Sequence, residues 1–143
     1  MMDAWDLERF VTAQGDDDSF GDVLAELRAG HKTSHWMWFV FPQLDGLGHS
    51  AMSRRFAISS IQEARAYLQH PVLGERLTTC AAIVASAQAQ TAEQIFGHVD
   101  AKKLHSSMTL FLRAAPEQPI FGEVLDRFYA GQPDPATDQL LPG

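Results

Sequence analysis

The chain is poor in cysteine. Cys80 stands alone among 143 residues, which rules out an intramolecular disulfide and a cysteine-based zinc site. A lone thiol suits a reducing compartment, so a cytoplasmic location is expected. Long apolar runs are also missing. The charge-free aromatic stretch at residues 36–42 is far too short to cross a bilayer. The N-terminus lacks the basic-then-apolar order of a signal peptide. Cations are scarce, with 11 Lys and Arg against 18 Asp and Glu and a net charge of −7. That balance repels phosphate backbones and argues against general nucleic-acid binding. No internal repeat, heptad series or linker divides the chain, and period-2 alternation never persists.

What is present fits one folded domain. Hydrophobic residues make up 45% and charged residues 20% of the chain, as in globular proteins rather than disordered ones. Helical spacing recurs throughout. Leu7, Phe10 and Val11 begin a short stripe that Gly15 ends. Phe20, Val23, Leu24 and Leu27 form the next, with Ser19 as N-cap and Gly30 as stop. Ser60 with Glu63 predicts a capped helix to about Gln69. Leu73, Leu77, Cys80, Ile83 and Val84 mark another, entered at Pro71. Thr91 with Gln94 caps a short helix that Gly97 stops. Asp100 then caps one carrying Leu104, Met108, Phe111 and Leu112. Ile120, Phe121, Val124, Leu125 and Phe128 form the last. The expectation is an all-α single compact domain of six or seven amphipathic helices over residues 1–131. Residues 132–143, with three prolines, are expected to be a loosely held tail. Residues 35–42 fit either a buried helix or a short strand.

Two places carry chemistry beyond packing. Residues 30–50 combine Lys32, His31, His35, Trp36, Trp38 and the loop Gly46-Leu47-Gly48. Bare amides and a lysine suit an anion, and indole faces suit a planar ring; core filling by the aromatics is the competing explanation. His31 and His35 are spaced i, i+4, yet no third ligand accompanies them and Lys32 sits between, so no metal is expected. In the second place, Lys103 and Ser107 lie one turn apart at the edge of an apolar stripe. Lys102, Ser106, Thr109 and Arg113 fall on the opposite, solvent-like side. Cys80 lies on an apolar stripe and reads as an inert buried thiol.

The run Gly30-x-Lys32-x-Ser34-His35-Trp36-Met37-Trp38-Phe39-x-Phe41-Pro42-Gln43, followed by Gly46-Leu47-Gly48-x-Ser50, resembles the signature of the domain of unknown function 1810 family. Glu63-Ala64, Tyr67-Leu68, His70-Pro71-x-Leu73-Gly74-x-Arg76-Leu77, Ile95-Phe96-Gly97 and Lys103-Leu104-x-Ser106-Ser107-Met108-Thr109-Leu110-Phe111 extend the similarity over almost the whole chain. His31 departs from it, standing where members often carry lysine. The resemblance implies an all-helical bacterial domain that stands alone, and it implies no activity. A more distant, architectural similarity is to the helical NADAR group, which acts on ADP-ribose and related N-glycosides. The family motif retains Lys32, His35, Gln43, Ser50, Asp100, Lys103, Ser106 and Ser107 beside the aromatics, chemistry that packing alone does not require.

Two functions of different class follow. The first is a pocket for a small phosphorylated, nucleotide-like ligand such as an ADP-ribose or NAD derivative. Trp36 or Trp38 would stack the base. Lys32, Arg76 and Lys103 would take phosphates, helped by Gln43, Ser106, Ser107 and the amides of Gly46, Gly48 and Ser50. If N-glycoside hydrolysis occurs there, Glu63 and Asp100 are the candidate catalytic carboxylates, with His35 as acid or base. No cofactor is implied, and no membrane partner. The second is a non-catalytic interaction module in which residues 35–42 form an exposed aromatic anchor.

Overall fold

A computed structural model describes residues 3–142. Among them the chain forms nine helices: α1 (Glu8–Gln14), α2 (Asp17–Arg28), α3 (Met37–Val40), α4 (Ala51–Arg55), α5 (Ile61–Gln69), α6 (Leu73–Ala85), α7 (Ala92–Ala114), α8 (Pro119–Tyr129) and α9 (Pro135–Leu140). The all-α expectation holds, and the count is higher than the six or seven expected. The additions are α3, α4 and α9, of four to six residues each. Helices this short are too brief to show a period and form only within a packed fold. The aromatic stretch at residues 35–42 is thus a single helical turn, not a strand.

The end signals act largely as their residue types require. Thr91 Oγ1 and Ser60 Oγ accept the Gln94 and Glu63 amides at 3.2 and 3.1 Å, filling orphan helix-start donors. At α2 the cap is Asp16 rather than Ser19. Its carboxylate accepts the Ser19 amide at 2.9 Å, so Asp17 and Asp18 enter the first turn, where the helix dipole favours them. Gly97, at φ 81°, breaks α7. The expected stop is therefore real, but the chain resumes helix at once and Asp100 lies inside the next turn instead of capping it.

Helix α7 is the centre of the packing. It lies against α5, α8 and α9, while α6 lies against α2, α5 and α8. Phe10, Tyr67, Phe111 and Phe121 form a chain of ring contacts at 5.1 to 5.8 Å through the core, each ring burying large apolar area. One parallel bridge, Leu44 to Ile58, ties the loop after α3 to the entry of α5. Asp45 N donates to Ile58 O and Ile58 N to Gln43 O, both at 2.8 Å. This pins residues 43–48 beside α7.

Residues 132–142 are extensively paired with the body. Asp134 caps α9 by accepting the Thr137 amide at 3.2 Å, and it also accepts Thr137 Oγ1 at 2.6 Å and Ser106 Oγ at 2.9 Å. Its own amide donates to Thr109 Oγ1 at 2.8 Å. Arg113 forms a two-pronged pair with Asp138 at 2.9 and 3.0 Å. The middle of the α7 face that reads as solvent-exposed in sequence is thereby covered: Ser106 and Thr109 are buried, while Lys102 and Arg113 stay exposed. Among the described residues no helix is long and apolar enough to cross a membrane.

Candidate functional site

The site begins with Glu26 on α2. Its carboxylate accepts the amides of Thr33 and Ser34 at 2.7 and 2.9 Å, Ser34 Oγ at 2.7 Å and Trp36 Nε1 at 3.1 Å. Burial works to raise its pKa, but these four donors outweigh it and hold the carboxyl at about 2. Sequence reasoning missed Glu26, because its partners, two backbone amides and two side chains, belong to an irregular segment with no period. The result is a fixed path for residues 31–36, which brings Lys32 to α7. Lys32 Nζ lies 2.9 Å from Asp100 Oδ2, donates to Ser34 O at 2.6 Å and sits 5.1 Å from the Trp36 ring.

Asp100, Lys103 and Ser107 follow one another on a single face of α7. Lys103 Nζ is 3.7 Å from Asp100 and 5.1 Å from the centre of the Trp38 ring. The two segments singled out in sequence therefore meet in space, and Lys103 lies between them. Beside this junction is a cleft of about 500 Å³ lined by Gln43, Leu47, Gly48, Val99, Lys102, Lys103, His105, Ser106 and the Asp134–Ala136 start of α9. Gln43, Gly48, Lys103 and Ser106 belong to the expected ligand set. Leu47, Val99, Lys102, His105 and α9 were not foreseen. Of these only Lys102, adjacent to Lys103, left a signal in sequence.

The remaining expected residues are placed as follows. Trp36 is buried, its edge on Phe96 and its N–H on Glu26, so its face is unavailable to a base. Trp38 is half-buried beneath Lys103. Gly48 is packed so closely that an added Cβ would lie 2.5 Å from Ser53. Gly46 adopts φ +100° next to Leu140, and Ser50 caps α4 through the Ser53 amide. These three are accounted for by chain turning. Arg76 is elsewhere: it donates to Gly15 O at 2.9 Å, pairs with Asp17 at 3.1 Å and lies over Phe20.

The three candidate catalytic groups share no hydrogen bond or ion pair. Glu63 is buried and holds Arg9 at 3.0 Å and the Ser59 amide and hydroxyl at 2.8 Å each. Asp100 is engaged by lysines, and His35 is exposed. His31 and His35 lie outside any helix, so the i, i+4 premise does not apply. A larger cleft of about 630 Å³ lies between α2 and the end of α6, with Arg28 as its one charged wall. Of residues 35–42, Trp36, Met37, Val40 and Phe41 point into the core. The aromatic stretch thus lacks the exposure that an interaction anchor needs.

The family described as "Protein of unknown function (DUF1810)" matches residues 4–141. Among solved structures the chain is similar to the conserved hypothetical protein Rv1873 from Mycobacterium tuberculosis. The two share 50% identity over 97% of this chain and 98% of that one, with a TM-score of 0.93. No curated protein matches the chain.

Proposed function

The chain belongs to the DUF1810 family of unknown function, and from that premise we propose that it is a small-ligand-binding domain. Its ligand is a small phosphorylated, nucleotide-like molecule seated in the cleft between the Gln43–Gly48 loop, α7 and α9. One observation carries the reading: the cleft gathers Lys102 and Lys103 with Val99 on its α7 wall, while Leu47, Pro135 and Ala136 line the others. Its volume of about 500 Å³ lies within the range of small-molecule sites.

The cation balance supports an anion. Asp100 is matched by Lys32 at 2.9 Å, and Asp134 is engaged by Ser106 and Thr137. Lys103 makes only a longer contact of 3.7 Å with the Asp100 carboxylate, so it and Lys102 can turn to a phosphate. A flat base lies against Leu47, Val99 and Pro135 in this arrangement, rather than on Trp36. The reading is one of binding, since Glu63, Asp100 and His35 are not gathered about the cleft.

A thermal-shift screen with nucleotides, ADP-ribose, NAD and sugar phosphates tests it. A ligand at a hundred times its Kd stabilises a fold by about 2.7 kcal/mol, a shift easily read. Val99→Glu supplies the control. Val99 is 64% exposed, so the change leaves the fold intact while placing an acid in the cleft. Stabilisation that disappears in Val99→Glu supports the proposal. Stabilisation that persists, or none with any compound, rejects it.

A further inference from the structure

Buried polar side chains in this protein are paired: Gln14, Glu63, Ser106, Thr109 and Thr137 all have partners. Trp38 Nε1 and Ser107 Oγ are buried without one. Native folds seldom leave such groups unmatched, and each asks for a reason.

Trp38 lies at the junction where residues 32–38 meet α7, and Ser107 follows Lys103 by one turn on that helix. Asp100, Lys103 and Ser107 share a helix face, and the first two contact Lys32 and Trp38 of the opposing segment. The Lys103 ammonium, 3.7 Å from Asp100, is beyond direct hydrogen-bond reach of it, so its donors are not consumed there. An indole N–H and an ammonium donate only, and a hydroxyl can donate. Lys103 over the Trp38 ring and Ser107 one turn further on the same helix face supply three donor groups, and Asp100 of that face is matched by Lys32.

We infer that Trp38 Nε1, Ser107 Oγ and Lys103 Nζ form an inner oxyanion subsite at the end of the cleft. It takes the carboxylate or phosphate head of a small amphipathic ligand. The head draws the Lys103 ammonium off the Trp38 ring and accepts the indole N–H and the serine hydroxyl. Leu47, Val99 and Pro135 hold the apolar or flat body. This rests on the cleft reading and deepens it, by fixing which end of the ligand points inward.

The test is an NMR titration of the 15N-labelled full chain, following the indole N–H resonance of Trp38, assigned by its loss in Trp38→Phe. The probes are phenyl phosphate, benzoate and inorganic phosphate, which separate a phosphate head from a carboxylate head and either from the body. A saturable shift of the Trp38 resonance is expected with phenyl phosphate or benzoate, and a weaker response with inorganic phosphate. Lys103→Met weakens the binding about tenfold or more, the scale of one charge-assisted hydrogen bond. Ser107→Ala weakens it about fivefold, the scale of a neutral one. The Trp36 indole resonance, which reports the bond to Glu26, verifies the fold of each variant. Should one variant fail to fold, the other and the parent titration decide. A Trp38 resonance indifferent to all three anions overturns the subsite, as does equal binding in both variants. The amides of Gly48 and Val99 separate this from the wider reading. If they move and Trp38 does not, the cleft binds but the subsite is wrong. If Trp38 moves alone, the subsite stands and the cleft reading fails.

Discussion

Lys32 Nζ and Asp100 Oδ2, 2.9 Å apart, join the irregular segment after α2 to the first turn of α7 beyond its break, with only 8% and 19% of their side chains exposed. A pair so sheltered loses more when broken than when replaced. Asp100→Asn removes the counter-charge at the Lys32 ammonium, leaving it neutral partners: an amide oxygen, Ser34 O and the Trp36 face. The expected loss in urea unfolding is about 2–4 kcal/mol, below the full cost for completely buried pairs. Replacing both partners, as Lys32→Met with Asp100→Leu, should recover most of it. A loss under about 0.5 kcal/mol would place the pair with ordinary surface bridges.

Glu26 sets an acid limit on the same segment. Its carboxyl is held at about 2 in the fold against an ordinary value of 4.5. The unfolded chain therefore binds this proton more readily than the folded one. The stabilisation is fully present above pH 4.5 and is lost as pH falls toward 2, amounting to roughly 3 kcal/mol for a shift of this size. Glu26→Gln should lower stability at pH 7 by a similar amount and flatten the dependence between pH 5 and 2. Chemical denaturation at several pH values measures both. Parallel curves for parent and variant would show that Glu26 is not the group responsible.

Helices of nine residues or more were legible because each buries an apolar stripe, and all but α6 also carry a side-chain cap or glycine stop. Ser60, Thr91, Gly30 and Gly97 each mark an end as their chemistry requires. The convergence of residues 32–50 with α7 was legible from polar residues lodged in an apolar motif. The role of α9 was not. It meets α7 through Asp134 and Asp138 against Ser106, Thr109 and Arg113, and a polar face covered by a polar segment has no hydrophobic signature. The Trp36 misreading has the same kind of source. Composition shows an aromatic beside a lysine, and only the Glu26 bond turns that ring inward.

Cys80 sits within the core of α6, where burial pushes its thiol up to about 12. A thiol reagent needs both access and thiolate. In native buffer near pH 8, labelling should proceed only through opening of the core, with a rate that follows global stability when weak denaturant is added. Complete reaction within about a minute would reveal a local opening of α6 far cheaper than global unfolding.

Truncation before Gln132 distinguishes the two views of the C-terminal segment. Composition alone expects the melting temperature to stay nearly unchanged. The contacts predict otherwise. Removal takes Asp134 from Ser106, which keeps only its bond to Lys102 O, takes the Asp134 amide from Thr109 and strips Arg113 of Asp138. It also frees His105 from its 2.8 Å contact with Gln132 O, leaving it stacked on Tyr129 at 4.1 Å. Each buried hydrogen bond lost costs about 1 kcal/mol. Together these predict a loss of roughly 2–4 kcal/mol, or a melting temperature lower by about 5–15 °C for a chain of this length. The truncated chain should still unfold cooperatively, because α5 to α8 keep their mutual packing. It should also lose the Asp134–Ala136 wall of the cleft. Anion stabilisation should then weaken more than the stability loss alone accounts for, measured as the ligand-induced shift relative to each protein's own melting temperature. An unchanged melting temperature would return residues 132–143 to a dispensable tail, and an unchanged ligand shift would remove α9 from the binding wall.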